Sequence, residues 1–407
     1  MSSLLEIDED TPAKIKSTFG QSIINFCNIL MGIGTLSLPL AFNYSGWFIG
    51  LLVLFFSMIV TNYAAKILIR CLSYKEGLYT YPDIAALAFG NIGKYVILVF
   101  FLLEVIGASI ALVILIGDSL QVLFPDISLI LLKIGCWVVL VPLTIIDIKY
   151  LSYCSLLGVL AAVFLAIIVA INGFTQNEQP GSLLNPMQTD LWPSNWNNLP
   201  FSFGLLVAGY SGHAIFPSIY LKMEKPEKFS SVVDTSYAIS IVVYLITGVC
   251  GYLMFGNQAR PEVTQNIMSS SDHLKILNSF IVWLVAISPL AKFALSLHPV
   301  NLYLEIRYRS SQCASNDAFF LFMRFLSRTL ISTFIVFIAI VYPNFDKMIE
   351  LIGSLLFYTI SAIFPCMFYL KLFGNKLRWW DWLFNIVIIL VCSVLSILGT
   401  LWPILNM

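Results

Sequence analysis

Read from its N-terminus, the chain is a succession of long apolar runs joined by short polar segments. The runs fall at 20–41, 46–69, 95–117, 127–146, 151–172, 201–221, 236–255, 276–298, 320–341, 348–370 and 383–403. About 20 apolar residues are needed to cross a bilayer as a helix. Backbone groups in hydrocarbon must bond within their own segment, so such runs predict helices. The alternation expected of an outer-membrane barrel is absent. The pattern predicts an all-α integral membrane protein with eleven transmembrane helices. A polar tail occupies 1–18 and a single membrane domain 19–403. One connector is patterned as well. In "TYPDIAALAFG", Thr80 is placed as an N-cap, with Pro82 and Asp83 in the first turn and an apolar stripe of Ile84, Leu87 and Ala88. This predicts a short helix lying at the membrane surface.

Composition agrees: 59% of residues are hydrophobic and 11% charged, against about 25% charged in a soluble domain. Net charge is zero, so nothing points to nucleic acid. No His/Cys spacing suits zinc and no Gly-Lys loop suits a phosphate. No metal, cofactor or enzyme activity is therefore expected. The histidines, His213, His273 and His298, are too scattered for a catalytic cluster. The eight cysteines lie in apolar runs or in loops assigned to the cytosol, so no structural disulfide is expected. The start of the chain is acidic and lacks the apolar stretch of a cleaved leader, so the first run is expected to act as insertion signal. Lys and Arg crowd one set of loops (Lys14, Lys16, Arg70, Lys75, Lys94, Lys149, Lys222, Lys225, Lys228, Arg307, Arg309, Lys371, Lys376, Arg378) and leave Arg260, Lys275 and Lys347 on the other. The basic side is cytosolic. The N-terminus is then cytosolic and, with eleven spans, the C-terminus lumenal. "NYS" at Asn43 matches a glycosylation triplet, but its loop is too short and too close to the membrane for modification.

Two runs carry helix breakers at mid-depth. The first holds "NILMGIGTLSLP", with Gly32, Ile33, Gly34 and Thr35. The sixth holds "AGYSGHAIFP", with Gly209, Tyr210, Ser211, Gly212 and His213. If spans one to five (about 19–172) and six to ten (about 200–371) are two repeats, both interruptions fall in the first helix of a repeat. Span eleven then stands outside as support. Irregular backbone is tolerated at that depth only against protein or a wet cavity, and matched interruptions are the sequence mark of a transporter site. The N–H groups that begin one half-helix can hold a carboxylate, and the C=O groups that end the other can hold an ammonium. Small residues that merely let helices pack closely are the alternative.

Ionisable residues inside spans are costly and point to function by default. Glu104, His213 and Lys292 stand out. His213 titrates in the right range for an acidified compartment, or is a neutral ring held by a carbonyl. Lys292 is a fixed charge in place of a bound ion, or a proton carrier, or the partner of Glu104 in a buried ion pair. Lys133, Arg324 and Arg328 lie near helix ends and are expected to snorkel. Asp118 and Asp147 are also terminal.

The stretches "NILMGIGTLSLPLAF", "YPDIAALAFGNIGK", "VILIGDSL", "GYSGHAIFPSIYLKMEKPEKF", "GYLMFGN" with "VTQNI", and "SPLAKFAL" resemble the amino acid/auxin permease family, most closely its vacuolar and vesicular amino acid transporter branch. The resemblance implies an eleven-helix, LeuT-like transporter with a 5+5 inverted-repeat core and broken helices 1 and 6. It implies an amino acid, expected to be neutral, bound between Gly32–Thr35 and Gly209–His213, with Glu104, His213 and Lys292 coupling protons across a vacuolar or other acidic organelle membrane. In sodium-coupled relatives an asparagine in the place of Asn28 helps form an ion site. Here Lys292 enters that region, which favours protons and makes Asn28 a remnant. Proton antiport into the lumen is the first expectation. Proton symport out of it, sodium coupling and an amino acid-sensing transceptor are the alternatives.

Overall fold

The computed structural model describes residues 16–145, 148–270, 275–310, 317–345, 348–349 and 353–405. Most of the tail, together with Asp147, His273, Cys313 and Lys347, lies outside the described residues. The described chain is helical, and its one β-bridge is isolated. Where described, the apolar runs are largely helical, with interruptions inside the first and the sixth. Eight helices are long and apolar enough to cross a membrane.

The first run is split into α1 (Phe19–Leu30) and the start of α2 (Ile33–Leu72). The 40 residues of α2 would measure about 60 Å if straight, twice the hydrocarbon thickness. Gly46 divides them, with φ 67° inside the helix. An added Cβ there would sit 2.6 Å from the carbonyl carbon of Trp192, so both conformation and space demand glycine. α3 (Tyr81–Leu123) is divided likewise at Gly90, φ 70°. Its first arm is the short helix read in the sequence. Asp83 Oδ2 accepts from the N–H of Thr80 at 2.9 Å and from its hydroxyl at 2.7 Å. Its stripe packs on protein, with Ile84 and Ala88 buried and Tyr81 edge-on to Phe368.

The remaining elements are α4 (Leu129–Ile145), α5 (Ile148–Thr175), α6 (Leu199–Ala208), α7 (Phe216–Lys222), α8 (Phe229–Phe255), α9 (Val263–Ser270), α10 (Lys275–Ser310) and α11 (Asp317–Val341). Two π-helical turns, Gly353–Phe357 and Thr359–Ile363, lead into α12 (Phe364–Phe373), and α13 (Trp379–Leu405) follows. α2 lies along α6 and α8, α10 along α3 and α5, and α13 covers α6 and the π-helical turns. The outer faces of α11 and α13 stay apolar, with Phe337, Leu390 and Trp380 more than half exposed. In water such a surface would drive association; in lipid it faces its natural solvent. Cys27, Cys71, Cys136, Cys250, Cys366 and Cys392 are free thiols.

The N-terminal segment is tied down. Ser17 N–H donates to Lys222 O at 2.8 Å and Glu224 N–H to Ser17 O at 3.0 Å. Next to it Thr18 caps α1 reciprocally with Gln21. The tie joins the ends of α1 and α7, the outer halves of the two interrupted helices.

Candidate functional site

Both mid-depth interruptions are present, and they touch. α1 ends at Leu30, with Met31 N–H bonded back to Cys27 O at 2.7 Å and Gly32 N–H to Leu30 O at 2.8 Å; α2 restarts at Ile33. α6 ends at Ala208, the chain runs irregularly through Gly209–Ile215, and α7 starts at Phe216. Gly212 takes φ 131°, open to glycine. A Cβ on Gly34 would lie 2.3 Å from Gly209 N and 2.7 Å from the Ala208 carbonyl carbon. The two breaks therefore meet backbone to backbone, an approach that only glycine allows.

The meeting point frees donors and uses up acceptors. The N–H groups of Gly34 and of Ser211 to Ala214 meet no backbone acceptor among the described residues. Several carbonyls, by contrast, are engaged. Lys292 Nζ donates to Met31 O at 2.6 Å. Tyr244 Oη donates to Gly209 O at 2.5 Å, and Ser211 Oγ to Ala208 O at 3.1 Å.

Beside the breaks lies a cavity of about 70 Å³. Its polar wall is formed by Gly32, Ser211, Gly212, Glu104, Lys292 and Ser296; its apolar wall includes Ala108, Leu112, Leu295 and Phe357. A water needs roughly 10–15 Å³ by this measure, so the space admits a small solute in place of a few waters. A second cavity of about 30 Å³ shares Gly32, Leu112 and Lys292 with the first and adds Thr35, Gly158, Ser288 and Pro289. Along α10 the first cavity meets Leu295 and Ser296, the second Val285 and Ser288, so Lys292 stands between them. A wider depression of about 680 Å³ opens where α3 ends, among Asp118, Gln121, Arg260 and Gln265.

The structure sorts the residues singled out from sequence. Gly32, Ser211, Gly212, Glu104 and Lys292 converge on the first cavity, and Thr35 faces the second. Gly34 and Gly209 form the backbone contact. Tyr210 is buried in a stack with Tyr237, centroids 5.7 Å apart. His213 lines neither cavity; its Nε2 is 2.9 Å from Thr61 O, on α2. Asn28 is buried against Gly158, where a Cβ would come within 2.0 Å of Asn28 Oδ1 and 3.3 Å of Lys292 Cε.

Glu104 and Lys292 do not form the buried ion pair that was one reading of the sequence. Lys292 is committed to Met31 O, and Glu104, 3% exposed, has an oxygen, Oε2, without a hydrogen-bond partner. Two cations expected to snorkel are also buried. Lys133 donates to Ala339 O at 2.8 Å. Arg328 is clamped between Glu305, at 2.6 Å, and Thr144 O. A carbonyl or carboxylate on a neighbouring helix satisfies each head group, so it has no need to reach the membrane edge. Gly158, Tyr244 and Phe357 were not found from sequence. Each is an ordinary residue in an apolar run, and only the tertiary approach gives it a part. Among the described residues no group of acidic, His or Cys side chains could hold a metal ion.

Outside the spans, Glu262 is fully buried just before α9. Burial, and then the neighbouring Asp118 carboxylate, hold its carboxyl well above the usual range.

Comparison with known proteins matches this architecture. The family described as "Transmembrane amino acid transporter protein" matches residues 15–405. Amino acid transporter AVT1D of Arabidopsis thaliana is 33% identical over 88% of this chain and 64% of its own length. Amino acid transporter AVT1E of the same plant is 31% identical over 96% of this chain and 74% of its own. The chain thus spans about two thirds to three quarters of these relatives. Among solved structures, MhsT in complex with L-phenylalanine superposes with a TM-score of 0.61 at 12% identity, over 94% of this chain and 98% of that one, which shows a shared LeuT-like fold. With a family match over nearly its whole length and a relative at 33% identity, the chain belongs to the transmembrane amino acid transporter family.

Proposed function

We propose that the protein is a secondary active transporter that moves neutral amino acids across a vacuole-like membrane in exchange for protons. Its N-terminus is cytosolic and its C-terminus lumenal. The observation that carries this reading is the meeting of the two helix breaks beside a small cavity that also holds a buried carboxyl and a buried amine. The N–H groups of Gly34 and of Ser211 to Ala214, which meet no backbone acceptor among the described residues, are suited to an amino acid carboxylate. The backbone of Gly32–Thr35 and Gly209–His213, Tyr210 included, shapes the site. Glu104 and Lys292 carry the coupling. His213, held by Thr61 away from the cavity, acts through the position of the second break. The printed names of the relatives, all amino acid transporters, support the substrate class.

Proton rather than sodium coupling rests on Lys292. Its ammonium lies on Met31 O at the end of α1, where it supplies the positive charge that a bound cation would bring. Asn28, which like the lysine stem lies against Gly158, is then the remnant of an ion site. The test is uptake of a panel of labelled amino acids by the purified chain in liposomes. An acid interior should drive accumulation without sodium. Uptake that needs a sodium gradient and ignores pH would refute proton coupling; binding without flux would make the protein a sensor.

A further inference from the structure

We infer that Glu104 is the acceptor for the substrate's ammonium, and that proton and amino acid compete for this one carboxylate. The inference rests on the function proposed above and gives it a coupling rule.

The acceptors at the break argue for it. An ammonium would ordinarily turn to the carbonyls that end a half-helix. Here Met31 O is held by Lys292, Gly209 O by Tyr244 and Ala208 O by Ser211. An ammonium at Met31 O would also meet the lysine's own charge. The carboxylate that lines the cavity is Glu104, with Oε2 free. Hydrogen bonds between ions are roughly twice as strong as neutral ones, so an ammonium in this cavity favours Glu104 over a carbonyl. Glu104 and Lys292 line the same space without an ion pair between them. A zwitterion fits that polarity: carboxylate toward Lys292 and the free N–H groups, ammonium toward Glu104.

The surroundings leave Glu104 as the titrating group. Across the cavity, α10 contributes Lys292. On its own helix, Tyr81 is near enough to feel the carboxylate, and its hydroxyl is bonded to Ile360 O at 2.8 Å. Behind Tyr81 stand Cys71 of α2 and Cys366 of α12. From α4 and α11, Lys133 and Arg328 are engaged elsewhere. His298 of α10 sits among Lys222, Arg324 and Arg328.

Exchange follows from the cost of burying an unpaired carboxylate. The empty site carries a proton on Glu104. A cytosolic amino acid displaces that proton, which leaves to the cytosol, and the ammonium takes its place. After release into the lumen a lumenal proton neutralises the carboxylate, and the protonated site returns. Each crossing carries one or the other.

The experiment is equilibrium binding of L-alanine, L-leucine and L-phenylalanine to the full chain in detergent, by calorimetry in two buffers of different ionisation enthalpy. Wild type should release about one proton per amino acid bound, with Kd rising about tenfold for each pH unit lowered through the titration. Glu104→Gln should bind about ten- to a hundredfold more weakly with no pH slope, and Glu104→Asp should keep the slope. Binding by wild type without proton release, or wild-type affinity and slope in Glu104→Gln, would overturn the inference and leave the transport reading standing. If Glu104→Gln fails to fold, the wild-type proton count decides alone. A wild type that binds none of the panel would overturn both.

Discussion

Gly34→Ala is the sharpest test of the claim that the two breaks form one site. The new methyl would lie 2.3 Å from Gly209 N and 2.7 Å from the Ala208 carbonyl carbon. Both neighbours are backbone and cannot rotate aside, so α2 and the second break must part by about 1 Å to reach ordinary contact. Overpacking of this kind costs about 1–3 kcal/mol. A shift of about 1 Å in groups that position a substrate is worth on the order of 100-fold in rate. Transport should therefore fall much further than stability. The comparison is Gly20→Ala in α1, where a Cβ meets nothing within 4 Å; that change should leave transport intact and, by its gain in helix propensity, tend to stabilise. The assay is substrate counterflow in liposomes beside thermal unfolding in detergent. Wild-type counterflow in Gly34→Ala would refute the reasoning, because it would mean the contact plays no part in substrate handling.

Glu262, with its carboxyl held well above the usual range, should make the fold less stable as pH rises. A raised pKa contributes stability that is fully present at low pH and lost as pH climbs through the folded value, so the melting temperature should fall toward alkaline pH and Glu262→Gln should flatten that fall. Ser17→Pro removes the N–H bonded to Lys222 O, a loss of about 0.5–1.5 kcal/mol; freed outer halves of α1 and α7 should make Cys27, buried beside Ser236 O, react faster with a thiol reagent, as read by peptide mass spectrometry. Arg328→Met strands the Thr144 carbonyl and leaves Glu305 to Arg324 alone, and should cost about 1–3 kcal/mol, visible as a lower melting temperature.

Much of the architecture is legible locally. Gly32–Thr35 and Gly209–His213 announce themselves because breakers are rare in apolar runs, and Thr80 with Asp83 marks a helix start by spacing alone. The contents of the site are legible only in part. Glu104 and Lys292 stand out as charges in apolar runs, but nothing near them in sequence tells what each faces. The partner of Lys292 is Met31 O, of Lys133 Ala339 O and of Arg328 Thr144 O, and each lies far along the chain. The direction His213 takes depends on the turn at Gly212 and on where α2 presents a spare carbonyl. Gly158 gains its part only because Asn28 is pressed against it.

The central claim is that amino acid movement through this site is exchanged for protons. Its most direct measurement is the internal pH of sodium-free liposomes that contain the protein and a trapped pH dye, started acid inside. Adding a neutral amino acid to the cytosolic face should make the interior more alkaline while labelled amino acid accumulates. Accumulation with no change in internal pH, or with further acidification, would contradict the account.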